Sequence, residues 1–275
     1  MTEHKLNGMA NMFEECGITP GDIEKLDPRI RKLIYLMHEE NTQLSEMSTI
    51  DPLTSLPNER VFGPRVDNVI SEMGARERRH SQRGAARARV DVHNFKYIND
   101  NLGHPAGNLT LKAVADSLNR CTRHNDDIVS RLGGASDEFD ILFTQTNGRE
   151  LDRNLYMAVL RLPLRAGEVS VKTGEGMYTA ELDAGATVIH RPWVMEKVQK
   201  YSESDVRNMI DEHVDRAMYI TKNTGKEKLI CLWMPEEKDA ETVGGIRIKY
   251  ADRVYAPELV DQKEEFCLYR MKMTD

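Results

Sequence analysis

Apolar residues recur at helical spacing in five stretches of the chain. Ile30, Leu33, Ile34 and Met37 begin the first, and Leu44 and Met47 extend it. Val61 to Met73 forms the second. Thr110 to Arg120 forms the third, through Leu111, Val114, Ala115 and Leu118. Arg149 to Leu160 and Ser204 to Thr221 follow, the latter with an acidic first turn that suits the helix dipole. Asp27-Pro28 and Asp51-Pro52 read as N-cap and N1 pairs, and Pro57-Asn58 marks another start.

Shorter apolar runs between these stretches read as strands. Ala86 to Val92 is weakly apolar, because Arg87 and Arg89 interrupt it. Asp127 to Leu132 and Glu138 to Thr144 are two arms joined at Gly133-Gly134, a hairpin with turn glycines. Val169 to Ile189 is strand-rich and loops around Thr173 to Gly176. Lys228 to Trp233 is a strand, and the tail has strand-like pieces at Gly245 to Tyr250 and Phe266 to Met271. Alternating helices and strands predict an α/β (α+β) domain built on a sheet.

At 275 residues the chain is long for one minimal domain. It divides into a helical extension over 1–50, a main domain over 51–234 and a charged extension over 235–275. The two extensions are candidate contact surfaces for protein partners, and the second has no functional reading of its own. Hydrophobic residues at 40% allow a sizeable core, and the net charge of −7 excludes a bulk nucleic-acid binder. The basic patch Arg76, Arg78, Arg79, Arg83, Arg87 and Arg89 reads as a solvated loop, with a protein contact or an anion contact as the alternatives. Cys16, Cys121, Cys231 and Cys267 have no metal-like spacing, which fits buried thiols in a reducing compartment. No signal peptide opens the chain and no apolar run approaches membrane length, so a cytoplasmic location is expected.

Two acidic spots fall at strand edges: Asp91 leaves the first strand, and Asp137-Glu138 opens the second hairpin arm. If those strands are neighbours, the carboxylates converge. Hard oxygens at one point suit Mg²⁺, which takes one or two carboxylates plus phosphate oxygens. Lys222 and Lys226 follow a helix and supply amines for phosphates. Carboxylates, Mg²⁺ and lysines together are the parts of phosphoryl transfer.

The order of five blocks carries a resemblance. Asp51-Pro-Leu-Thr-Ser-Leu-Pro-Asn58 is similar to DPLTGLPNR, with Ser55 for glycine. Asp91-Val-His-Asn-Phe-Lys-Tyr-Ile-Asn-Asp-Asn-Leu-Gly-His104 is similar to DxDxFKxINDxxGH. Gly107-Asn108 stands for Gly-Asp. Arg131 to Leu142 resembles RxGGDEFxxL with Ala135 and Ser136 inserted, and Val214 to Lys226 resembles ADxALYxAKxxGRN. These blocks resemble the GGDEF family of diguanylate cyclases over about two thirds of the chain. The resemblance implies a nucleotidyl-cyclase-like fold with a central, mainly antiparallel sheet flanked by helices.

It also implies an activity. Two GTP-loaded domains meet, and each 3′-hydroxyl attacks the other's α-phosphate to give cyclic di-GMP, so a homodimer is expected. By position, Asp91, the Val92 carbonyl, Asp137 and Glu138 would hold Mg²⁺ (or Mn²⁺), with Asp137 and Glu138 also the catalytic acids. Lys96, Lys222 and Lys226 would contact phosphates, and Gly133 and Gly134 would let them lie against the turn. Asn99 and Asn108 would meet the base, while Phe95, Ile98 and Phe139 would be core.

Further positions depart from the pattern. Asn108 replaces the aspartate that reads two guanine donors; a neutral amide offers one oxygen and a donor of its own. GTP or another nucleoside triphosphate is therefore the substrate class. Ala135 and Ser136 either bulge from the hairpin or shift the acids by about 6–7 Å, and the alternation Phe139, Ile141, Phe143 favours the bulge. His93 replaces the second acid of DxD. Before the hairpin, the inhibitory Arg-x-x-Asp site would fall on His124 and Asp127, or one residue early on Arg123 and Asp126. A cyclase, a non-catalytic module that binds nucleotide or cyclic dinucleotide, and a structural interaction domain are the three readings.

Overall fold

Strand β1 (Gly84–Val92) lies between β3 (Glu138–Gln145) and β6 (Leu182–Ile189) and runs antiparallel to both. The structure is a computed structural model. It describes residues 25–47, 49–75, 84–123, 126–133, 136–145, 151–166, 169–173, 176–224, 229–233, 237–250, 252–263 and 265–274. The chain divides into two units, 1–48 and 49–275. The first holds helix α1 (Pro28–Met47), opened by Asp27, whose Oδ1 accepts the Arg29 N–H at 2.7 Å.

In the second unit the remaining strands are β2 (Ile128–Arg131), β4 (Ser170–Thr173), β5 (Gly176–Thr179), β7 (Leu229–Trp233), β8 (Ile248–Tyr250), β9 (Arg253–Lys263) and β10 (Phe266–Thr274). Eight form one sheet in the order β2-β3-β1-β6-β7-β10-β9-β8, while β4 and β5 form a separate hairpin. In the large sheet β6 and β7 are parallel and the other pairs antiparallel. The helices are α2 (Glu59–Gly74), α3 (Phe95–Leu102), α4 (His104–Asn119), α5 (Leu151–Leu160), α6 (Leu162–Ala166), α7 (Arg191–Lys197), α8 (Glu203–Thr224) and α9 (Glu237–Gly244). Among the described residues no helix is long and apolar enough to cross a membrane.

Period-two alternation along β1 sends side chains to both faces. Ala86, Ala88, Val90 and Val92 pack with Leu111, Val114 and Leu118 of α4 and with Leu155 and Val159 of α5. Phe139, Ile141 and Phe143 of β3 join that core, as does Ile98. On the opposite face Ala85 meets Phe62, Val66 and Ile70 of α2 and Val206 and Ile210 of α8. Ser202 caps α8: its Oγ accepts the Asp205 N–H at 3.2 Å and donates to the Asp205 carboxylate at 2.6 Å. Gly185 of β6 lets α8 lie directly on the sheet, since a Cβ there would fall 2.2 Å from the Met218 backbone nitrogen.

Arg87 and Arg89 share the α8 face with Ala85, and here the solvated-loop reading of the basic patch needs correction. Both belong to β1. Arg87 is 4% exposed, and its Nη2 lies 2.7 Å from Asp140 of β3; it pairs also with Asp211 of α8. Arg89 reaches Asp140 through Nε at 2.8 Å and pairs with Asp215 of α8. The Phe62 ring lies 5.2 Å from the Arg87 guanidinium. The strand therefore stays central because every interrupting charge finds a partner, as buried ions require. Arg76, Arg78, Arg79 and Arg83 lie outside the described residues.

The tail extends the same sheet. β10 pairs with β7 and with β9, and Ile248, Tyr269 and Met271 enter the main core. β9 is longer than anything the apolar pattern indicated there.

Candidate active site at the end of the central strand

Three strands bring three acids into a row. Asp91, at the end of β1, is the register partner of Glu138 on β3 and of Asp183 on β6. The Val92 N–H donates to the Asp137 carbonyl at 3.3 Å, which carries the pairing one residue past β3. Phe139 stays opposite Val90 and fully buried. The β1–β3 ladder thus opens at Asp91–Glu138, with Ser136 outside it; Ala135 lies outside the described residues.

The turn is held by its own donors. Leu132 N–H donates to the Glu138 carbonyl at 3.0 Å, and Ser136 N–H to the Gly133 carbonyl at 3.1 Å. Ser136 Oγ accepts the Glu138 N–H at 3.0 Å. Arg131 donates through Nε and Nη2 to the Ser136 carbonyl at 3.0 and 2.8 Å, and through Nη1 to both Asp51 carboxylate oxygens at 3.2 and 3.1 Å. Arg131 and Asp51 are both buried. One guanidinium therefore ties the Asp51 segment to the turn that precedes the acids. Sequence reasoning gave Arg131 no role and read Asp51 as a helix N-cap; residues 52–54 instead form a turn, in which Asp51 Oδ1 accepts the Thr54 N–H at 2.8 Å, and the helix starts later, capped by Asn58.

The charge balance at Asp91 favours a cation. Its residue is 8% exposed. Burial, above all, raises its pKa to about 6; Asp137 and Glu138 push the same way, and Lys222 opposes them. Lys222 Nζ lies 2.7 Å from Asp91 Oδ2 and 3.7 Å from Glu138 Oε1. Burial works against that ammonium, yet Asp91, Glu138 and Asp137 together keep its pKa above the ordinary value. Two carboxylates around one positive charge form a donor set that fits a hard divalent cation. Among the described residues no group of three acidic, histidine or cysteine side chains is gathered closely enough to hold a metal by itself. Such an ion would complete its shell with water or phosphate oxygens.

Past β1 the chain turns through Asn94, at φ 53°, into α3. Lys96 is exposed in the first turn, and Asn99 follows one turn later. Gly107 makes room for Asn99, because a Cβ there would sit 2.0 Å from its Oδ1. Asn108 is the next residue and is exposed, as is Gly133 on the turn. Gly134 and Lys226 lie outside the described residues. The structure thus gathers Asp91, Asp137, Glu138 and Lys222, with Asn99 and Asn108 on adjoining helices.

Two further pairs went unanticipated. His93 Nδ1 lies 2.9 Å from Asp183 Oδ2; the one signal was a lone acid in the apolar run Leu182–Ile189. Arg123 is bidentate to Asp127, through Nε at 3.2 Å and Nη2 at 3.0 Å, and also donates to the Thr144 carbonyl. Its bidentate partner is Asp127. His124 lies outside the described residues.

The sequence profile described as diguanylate cyclase, GGDEF domain, matches residues 48–228. The chain belongs to the GGDEF family. It is 28% identical over 233 residues to diguanylate cyclase DgcP of Pseudomonas aeruginosa, covering 83% of this chain and 30% of that protein. It is 32% identical over 162 residues to diguanylate cyclase TpbB of the same organism, covering 56% and 35%. The chain spans about a third of the length of these curated relatives. The crystal structure of the coiled coil and GGDEF domain of DgcB from Caulobacter crescentus in complex with c-di-GMP superposes with a TM-score of 0.51. It is 19% identical, covering 71% of this chain and 91% of that one, and it shows the shared fold. The GGDEF turn of this chain is the β2–β3 connection, and the family's expected mainly antiparallel sheet flanked by helices is the one observed.

Proposed function

We propose that the chain condenses two nucleoside triphosphates into a cyclic dinucleotide, breaking the α–β phosphoanhydride bond of each and releasing pyrophosphate, with GTP to cyclic di-GMP the family reaction. The observation that carries this reading is the Asp91–Glu138 pairing, kept in register by the β1–β3 ladder despite the longer turn. Asp91, Asp137, Glu138 and the Val92 carbonyl would hold Mg²⁺ or Mn²⁺. When bound, that ion neutralises phosphate charge and lowers the cost of attack at the α-phosphate. Lys96 and Lys222, with Lys226, neutralise the remaining phosphate charge as point cations. Asp137 and Glu138 orient the attacking hydroxyl and receive its proton. Asn99 and Asn108 contact the base edge. One domain binds one nucleotide, so the product requires two copies face to face.

The test is purified protein with Mn²⁺ or Mg²⁺ and GTP, ATP or both, with cyclic products detected by mass. Cyclic dinucleotide is the expected result, and none at high enzyme concentration contradicts it. A second reading, a non-catalytic module that binds nucleotide or cyclic dinucleotide and signals through protein partners, is favoured by the neutral Asn108 at the base. Under it, nucleotide raises the thermal unfolding midpoint and no product forms.

A further inference from the structure

We propose that Lys222 is a place-holding cation: it occupies the divalent-metal position until nucleotide phosphates draw it away, so metal binding is coupled to nucleotide binding. The inference rests on the metal-site reading above and specifies how that site is regulated. Its ammonium lies 2.7 Å from Asp91 Oδ2 and 3.7 Å from Glu138 Oε1. A divalent ion on those oxygens and an ammonium against them would repel at close range, so one excludes the other.

Lys222 is built to leave. Its side chain is 38% exposed, in the last turn of α8, and four methylenes let the amine swing without moving the helix. Arg89, whose field also includes Glu138, offers a contrast. It is fixed between Asp140 and Asp215 and cannot follow a ligand. Without nucleotide, a metal ion entering the site must expel Lys222 into water. With a triphosphate present, the displaced amine gains a phosphate oxygen. Metal and nucleotide therefore strengthen each other's binding, and by linkage the effect is reciprocal.

Equilibrium dialysis with Mn²⁺ in the absence of nucleotide tests this, on wild type, Lys222→Met and Lys222→Gln. Both variants are expected to bind Mn²⁺ at least about tenfold more tightly than wild type, within the usual range of site-to-site coupling. Unchanged, weaker or undetectable binding in both variants overturns the place-holding role. A separate arm measures protein-bound Mn²⁺ with a non-hydrolysable GTP analogue, comparing wild type with Asp91→Asn. Loss of binding in Asp91→Asn supports the metal site whatever the lysine variants do. Unchanged binding there removes the metal site, and this inference with it.

Discussion

Arg87 of the central strand and Asp140 of its neighbour form an ion pair 2.7 Å long, with the aspartate fully buried. Asp140 also accepts from Arg89, so it bridges two guanidiniums that Asp211 and Asp215 approach from α8. Removing one member of a buried pair leaves an uncompensated charge, which costs about 3–5 kcal/mol. Asp140→Ala should lower the urea midpoint accordingly. A change under about 1 kcal/mol would mean that solvent already reaches the cluster.

Gly107 makes room for Asn99. Gly107→Ala places a methyl carbon 2.0 Å from the present Asn99 Oδ1 and 3.2 Å from Phe95 Cζ. The amide is the movable partner, so the fold should persist while Asn99 is displaced. Losing one neutral hydrogen bond of about 1 to 1.5 kcal/mol should weaken nucleotide binding about tenfold by calorimetry, with little change in melting temperature. Unaltered affinity would take Asn99 out of the base site.

Asn108 is exposed beside that site. Asn108→Asp restores a charged acceptor, worth about 1.5–3 kcal/mol against about 1 for a neutral one. The ratio of GTP to ATP turnover or binding should rise by about tenfold. An unchanged ratio would contradict base reading by this residue.

His213 of α8 stacks on Trp233 of β7, with ring centroids 3.9 Å apart. Burial, chiefly, lowers its pKa below the ordinary 6.5; Glu265 and Glu212 oppose this, while Lys197 and Arg216 add to it. The folded state thus takes up this proton less readily than the unfolded one. The stability His213 contributes is complete above pH 6.5 and falls as pH drops through the lowered value. Melting temperatures from pH 7.5 to 5 should fall more steeply for wild type than for His213→Phe. Parallel curves would show that the histidine is solvated in the folded protein.

Much of the fold was legible because local signals agreed. The periodic runs marked most helices, and Gly133 with the alternation Phe139, Ile141, Phe143 marked the hairpin and its register. Other features required partners distant in sequence. Arg87 and Arg89 read as interruptions of a weakly apolar strand until Asp140, Asp211 and Asp215 arrive from β3 and α8. β9 escaped notice because Pro257 argues against a strand. Pro257 nevertheless stands in the ladder opposite Met271 of β10, beyond the residues of β9 that pair with β8. Asp91 and Glu138 were legible as candidate site residues from their blocks, and the β1–β3 ladder sets them opposite each other. The Ser136 carbonyl that Arg131 grips, and the Asp183 carboxylate beside His93, depend on loop and cross-strand geometry that spacing does not encode.

The central claim is that the longer turn leaves Asp91 and Glu138 as one working site. Its most direct test is the rate of cyclic dinucleotide formation from GTP with Mn²⁺, in wild type, Asp91→Ala and Glu138→Gln. Product from wild type, with at least a hundredfold loss (about 2.7 kcal/mol of transition-state stabilisation) in each variant, is the predicted result. No product from wild type, or undiminished product from either variant, would contradict it.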